Sequence, residues 1–300
     1  MKKQLLKYLK LVITCLAIVI IIYNVDWHSF LRISQQMEGV YLLVAWVLYH
    51  LSRCFAAFRF GIYAAEKGYS LKFFENLKIN YIGMFYNIFL PGGVGGDGYK
   101  MLILKKRFNA PIKTFLSIIL MDRLNGLYAA LCLCLVFLHL SMFVDFIPLW
   151  LQSWWIDLVL ISISMIVFKY LHHWLLPVHL QSLVQLLFCS LLAQLIQVAA
   201  VWVLLSGLGH YEGWYTYSFV FLLSSMVSLL PISIGGFGTR EVTFLTLMPL
   251  IGESVTHGVI IAMMFYWIQV SANLVGGIFK QSLSSEESSV NDLEALKHKA

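Results

Sequence analysis

Two stretches of this chain have the residues to hold an anion, and they are nearly the same sentence. Leu90-Pro91-Gly92-Gly93-Val94-Gly95-Gly96-Asp97-Gly98-Tyr99-Lys100 is echoed by Leu230-Pro231-Ile232-Ser233-Ile234-Gly235-Gly236-Phe237-Gly238-Thr239-Arg240. The shared pattern is Leu-Pro-x-x-x-Gly-Gly-x-Gly-x-(Lys/Arg), at a constant offset of 140 residues. Gly92, Gly93, Gly95 and Gly96 expose backbone N–H groups that can cradle a phosphate, and a helix starting near Asp97 would point its positive end at the same place. Glycines also serve tight helix packing in membranes. The spacing is not that of a nucleotide-binding loop, and no strand precedes it.

Further charges sit in apolar sequence. Asp122-Arg123 falls about 15 Å into a long apolar helix, where ionisable groups must face the bundle interior. A proton relay, a head-group contact, or an ion pair with the first glycine segment (for example Asp122 with Lys100) all fit. Arg240 can bind phosphate bidentately, or can pair with Glu241. Arg53 and Arg59 lie toward one end of an apolar helix, as topology signals or as a draw for anionic lipid. His172-His173 has no Cys or acidic neighbour at ligand spacing and reads as an interfacial pair. His50 and His139 read as packing or interfacial residues. Cys15, Cys54, Cys132, Cys134 and Cys189 all lie in apolar stretches, so no disulfide or metal site is expected.

The elements that position these residues follow from composition. Of 300 residues, 60% are hydrophobic and 12% charged. The mean hydropathy is +0.81. This is an all-α polytopic membrane protein, and the net charge of +6 reflects Lys and Arg at segment ends rather than nucleic-acid binding. Lys2, Lys3, Lys7 and Lys10 put the N-terminus in the cytoplasm. Spans are expected near 10–23, 39–63, 112–140, 154–170, 180–208 and 258–279, about six in all. The apolar stretch 79–90 is too short to cross and has basic flanks on both sides, so it reads as a re-entrant hairpin from the cytoplasm. The second glycine segment lies within 214–252, whose ends both face outward, and reads as a second hairpin from the opposite side. Shifting 39–63 and 112–140 by 140 lands on the fifth and sixth spans, so the halves 39–140 and 179–280 read as an inverted-topology repeat. Residues 1–280 form one transmembrane domain. The polar tail 281–300 reads as cytoplasmic and either disordered or a short surface helix.

These residues resemble the lysylphosphatidylglycerol synthase transmembrane-region family, the flippase-like membrane domain of bacterial peptide-resistance factors. The matching elements are Ala57-Phe58-Arg59-Phe60, Asn87-Ile88-Phe89-Leu90-Pro91-Gly92-Gly93-Val94-Gly95-Gly96-Asp97, Asp122-Arg123-Leu124-Asn125-Gly126, and Leu230-Pro231 with Gly235-Gly236-Phe237-Gly238-Thr239-Arg240-Glu241. The chain looks like a stand-alone member without the soluble transferase domain, and Lys100 stands where many members have Arg. The resemblance implies an inner-membrane lipid translocase for an anionic or polyprenyl-phosphate-linked lipid. Its path would include Arg59, Asn87, Pro91, Gly92, Gly93, Gly95, Gly96, Asp97, Lys100, Asp122, Arg123, Pro231, Gly235, Gly236, Gly238, Arg240 and Glu241. Alternatives are a transferase acting on lipid-linked substrates, or a non-transporting partner of a lipid-modifying enzyme. No cofactor is expected, and without an ATP-binding motif energy would come from a gradient or downhill lipid flux. Partners are membrane lipids, with a lipid-modifying enzyme or a second copy of the chain as candidates, and no nucleic acid.

Overall fold

In a computed structural model of the chain, residues 19, 21–23, 27–89, 95–229 and 238–297 are described, and among them there is no strand. The helices are α1 Trp27–Gln35, α2 Gly39–Glu66, α3 Phe73–Phe89, α4 Gly95–Phe108, α5 Ile112–Leu140, α6 Trp154–Leu175, α7 Leu180–Gly207, α8 Trp214–Leu229, α9 Thr239–Leu247 and α10 Val255–Lys297. Five of them are long and apolar enough to cross a bilayer: α2, α5, α6, α7 and the part of α10 over Val255–Phe279. The chain is therefore a multi-pass helical membrane protein. The span expected over 10–23 lies largely outside the described residues. So do Pro91, Gly92, Gly93, Pro231, Gly235 and Gly236 from the two glycine segments. The polar tail, expected as disordered or a short surface helix, continues α10 as helix to Lys297.

Helix ends follow local chemistry. Pro111 precedes α5, where its missing N–H costs nothing. Gly68 and Gly209, with φ of 80° and 70°, stop α2 and α7 in the left-handed region. Gly238 (φ 84°) opens α9, and its N–H donates to the Glu241 carboxylate at 3.0 Å, a cap that satisfies an otherwise orphaned donor. Helices α3, α4 and α8 are about 26, 21 and 24 Å long, each short of a bilayer core of about 30 Å. Helix α6 instead keeps Trp155, Leu158, Ile166 and Trp174 exposed, as a lipid-facing crossing would.

The elements recur at the offset of the glycine segments. Adding 140 to the bounds of α2 to α5 gives 179–206, 213–229, 235–248 and 252–280, which overlie α7, α8, α9 and the spanning part of α10. Packing recurs as well. Helices α2 and α7 pack along each other, α3 packs on α10 as α8 packs on α5, and α4 pairs with α3 as α9 pairs with α8. Two apolar clusters brace this arrangement. One contains Tyr217, Phe221, Phe244 and Phe265, and the other Phe60, Tyr63, Phe115 and Met121.

Helix α4 folds back on α3 at backbone distance. The Gly96 N–H donates to Asn87 Oδ1 at 2.8 Å, and Arg107 pairs with Glu75 at the far end of the hairpin. A Cβ on Gly96 would lie 1.7 Å from the Gly83 carbonyl oxygen, whereas one on Gly98 would meet nothing within 4 Å. Gly96→Ala is therefore expected to destabilise the protein by about 1–3 kcal/mol through overpacking. Gly98→Ala, an added methyl in open helical space, is expected to be neutral or stabilising by up to about 1 kcal/mol. Thermal unfolding of the two variants in detergent reads this contrast, and equal effects would contradict the close approach.

Candidate functional site: a basic cavity between the two halves

A cavity of about 260 Å³ is lined by residues of α2, α3, α4 and α5 and of α7, α8, α9 and α10. The expected site residues among the described ones have definite places. Arg59, Asp97, Lys100, Asp122, Arg123 and Arg240 all reach the cavity. Asn87 does not line it and instead closes the α3–α4 hairpin through Gly96. That contact occupies the Gly96 amide, so the expected backbone cradle loses this donor and charge is delivered by side chains. Gly95 sits in the first turn of α4, and Gly238 and Glu241 form the cap of α9.

Lys100 and Arg240 occupy equivalent positions in the two glycine segments, at 240 − 100 = 140, and they line the same cavity. Lys100 donates to Asn80 Oδ1 at 2.7 Å and stands 3.8 Å from Asp97. Arg123 lies 2.5 Å from the other oxygen of Asp97. Asp122, for which Lys100 was an expected partner, pairs with Arg59 at 2.7 Å instead. The reason is geometric: Asp97 on α4 already faces Lys100 one turn away, while α2 presents Arg59 to α5.

Arg59 is held from behind by a polar chain through the helix interfaces. Its Nη1 donates to Ser190 Oγ at 2.8 Å, Ser190 donates to Asn125 Oδ1 at 3.1 Å, and Asn125 donates to the Tyr63 hydroxyl at 3.0 Å. His172 completes the chain. With its Nδ1 at 3.0 Å from the Phe168 carbonyl, Nδ1 is the donor, leaving Nε2 to accept from the Tyr63 hydroxyl at 2.8 Å. His172 was expected at an interface. It is 2% exposed, because α6 returns its last turn against Tyr63 of α2. His139 likewise contacts Asp157 at 2.7 Å rather than serving as packing alone.

Arg240 is different from the other cations. Its guanidinium lies over the edge-to-face pair of Phe221 and Phe265, 4.8 and 4.7 Å from their centroids, which are themselves 4.7 Å apart. It is 9% exposed, and its Nη1 has no hydrogen-bond partner among the described residues. The expected pairing with Glu241 gives way because Glu241 turns back to cap its own helix. Arg53 lies over the Tyr49 ring at 5.0 Å and donates from Nε to Ser52.

Sequence reasoning left out the neutral wall. Gln194, Gln197, Ser225, Ser228 and Gln269 also line the cavity. The available signal was Gln194 and Gln197, three residues apart on one face of a span with a hydropathy of 2.1.

Comparison with curated proteins finds no match. The model of one protein family, described as the lysylphosphatidylglycerol synthase TM region, matches residues 8–277. A multi-pass helical chain that carries both glycine segments and their cations within this match belongs to the lysylphosphatidylglycerol synthase TM region family.

Proposed function

We propose that this chain moves a lipid with an anionic head group between the leaflets of the cytoplasmic membrane, with the head group passing through the cavity between the two halves. The observation that carries this reading is the meeting of Lys100 and Arg240 in one cavity from the two copies of one segment. Charged side chains this far inside a membrane protein are costly and mark a pathway or site.

The two halves are read as an inverted repeat. One span, α6, separates them, and a single crossing reverses the direction of every element after it. The first hairpin, α3 with α4, ends in Lys105, Lys106 and Arg107, which favours the cytoplasmic side. The second, α8 with α9, is flanked by Glu212 and Glu253 and would enter from outside. Broken helices facing a midplane cavity from both sides are the plan of alternating-access transporters. Acyl chains would stay in lipid along the other face of α2, where Leu51, Phe55 and Phe58 line an apolar groove.

Two measurements test the reading. In liposomes, the purified protein is expected to accelerate transbilayer movement of a head-group-labelled phosphatidylglycerol, and movement no faster than in empty liposomes would overturn the translocase. In a cysteine-free background, Lys105→Cys and Glu212→Cys, both at exposed positions, are expected to react with an impermeant maleimide from opposite sides. Labelling from the same side would sink the inverted repeat and leave the cavity without two-sided access.

A further inference from the structure

The two walls of the cavity differ in kind. The first half contributes Arg53, Arg59, Lys100 and Arg123 together with Asp97 and Asp122. The second half contributes Arg240, the apolar Ala193 and Leu229, and otherwise amides and hydroxyls, including Gln197, Ser225 and Gln269. Five cations face two carboxylates, so three positive charges are in excess. Both carboxylates are engaged, Asp122 by Arg59 and Asp97 by Arg123 and Lys100. Among the described residues, no carboxylate in the lining is left to receive an ammonium group.

Given the lipid pathway proposed above, we propose that the head group this cavity accepts is a phosphate carrying an uncharged, hydroxylated substituent. A head group bearing ammonium groups, such as an aminoacylated phosphatidylglycerol, is rejected.

The phosphate belongs beside Arg240 and Arg53. The rings of Phe221 and Phe265 beside the Arg240 guanidinium offer it no hydrogen-bond acceptor, and Nη1 is buried without a partner among the described residues. A planar fork with free N–H groups matches phosphate oxygens. The hydroxylated substituent belongs on the neutral wall, because amides and hydroxyls both donate and accept, as sugar and glycerol hydroxyls do. An ammonium only donates, and in this cavity it would meet an excess of like charge at low dielectric. The volume of about 260 Å³ suits a head group rather than a whole lipid.

Equilibrium binding to the purified full-length protein in detergent tests this. The probes are dioctanoyl phosphatidylglycerol, a short-chain prenyl-phosphate hexose, dioctanoyl phosphatidic acid and dioctanoyl lysyl-phosphatidylglycerol. At least one of the first two is expected to bind about tenfold or more tighter than the lysyl lipid, and the tighter of them tells a phospholipid from a prenyl carrier. Gln197→Ala with Gln269→Ala is expected to weaken that probe while sparing phosphatidic acid, which has no substituent. Arg53→Gln is expected to narrow the discrimination against the lysyl lipid. A lysyl lipid that binds within tenfold of both, or no binding of either hydroxylated probe, overturns the inference, and an unselective response to the glutamine changes overturns the neutral wall. Discrimination without transbilayer movement would instead remove only the translocase reading.

Discussion

Arg59→Met is expected to destabilise the protein by about 3–5 kcal/mol, because it strands the carboxylate of Asp122 in a buried site. The two side chains are 9% and 15% exposed and meet at 2.7 Å between α2 and α5. Neither has an inexpensive alternative in the membrane. Asp122→Asn should cost less than Arg59→Met, since an amide is still able to accept from Nε and Arg59 keeps its contact with Ser190. The decisive comparison is the double variant Arg59→Met with Asp122→Leu. Removing both charges removes the desolvation penalty as well, so its loss should fall well short of the sum of the single losses. Thermal or denaturant unfolding in detergent measures the cycle. Additive losses would mean that the pair does not act as a unit.

Arg240→Gln is expected to do the opposite: to leave stability within about 1 kcal/mol of wild type while slowing transbilayer movement of an anionic lipid by about 10- to 100-fold. Arg240 has no carboxylate at ion-pair distance among the described residues; the buried Glu241 beside it loses a favourable charge but keeps its helix-cap bond, and neutralising a desolvated cation offsets the loss of the ring contacts. A hydrogen bond to a charged group is worth about 1.5–3 kcal/mol. Each 1.4 kcal/mol is about tenfold in an equilibrium constant. Arg240→Lys keeps the charge but not the planar fork over Phe221 and Phe265, so intermediate movement is expected. The rates are read in proteoliposomes with a head-group-labelled lipid. Wild-type rates for Arg240→Gln would remove Arg240 from the pathway.

A structural ion pair at Arg59 thus stands against the proposed lipid contact at Arg240. Both residues were legible in the sequence as charges in apolar surroundings, but their roles were not. Asp122 was expected to find Lys100 because both are charged and both lie near the first glycine segment. It finds Arg59, 63 residues earlier in the chain, because α2 crosses α5 at that level. His172 looked interfacial because a neighbouring histidine and Lys169 suggested a helix end in water. Its ring is buried because the end of α6 packs on Tyr63.

By itself, the sequence determined the class of the protein, five of the expected spans and the 140-residue offset at which elements recur. Hydrophobic length and helix-breaking Pro and Gly are local properties, and a bilayer turns them directly into crossings and interruptions. It also determined that a cation follows each interruption, at Lys100 and at Arg240. Which charges cancel and which stay available was decided only by tertiary structure. Asp97 and Asp122 are consumed by neighbours on α4, α5 and α2, and amides of α7 and α10 join them in the cavity lining. Pairing of this kind depends on which helix faces which across the bundle. Periodicity along one helix carries no record of that, so cations, carboxylates and neutral amides far apart in the chain come to line one cavity only when the helices are packed together.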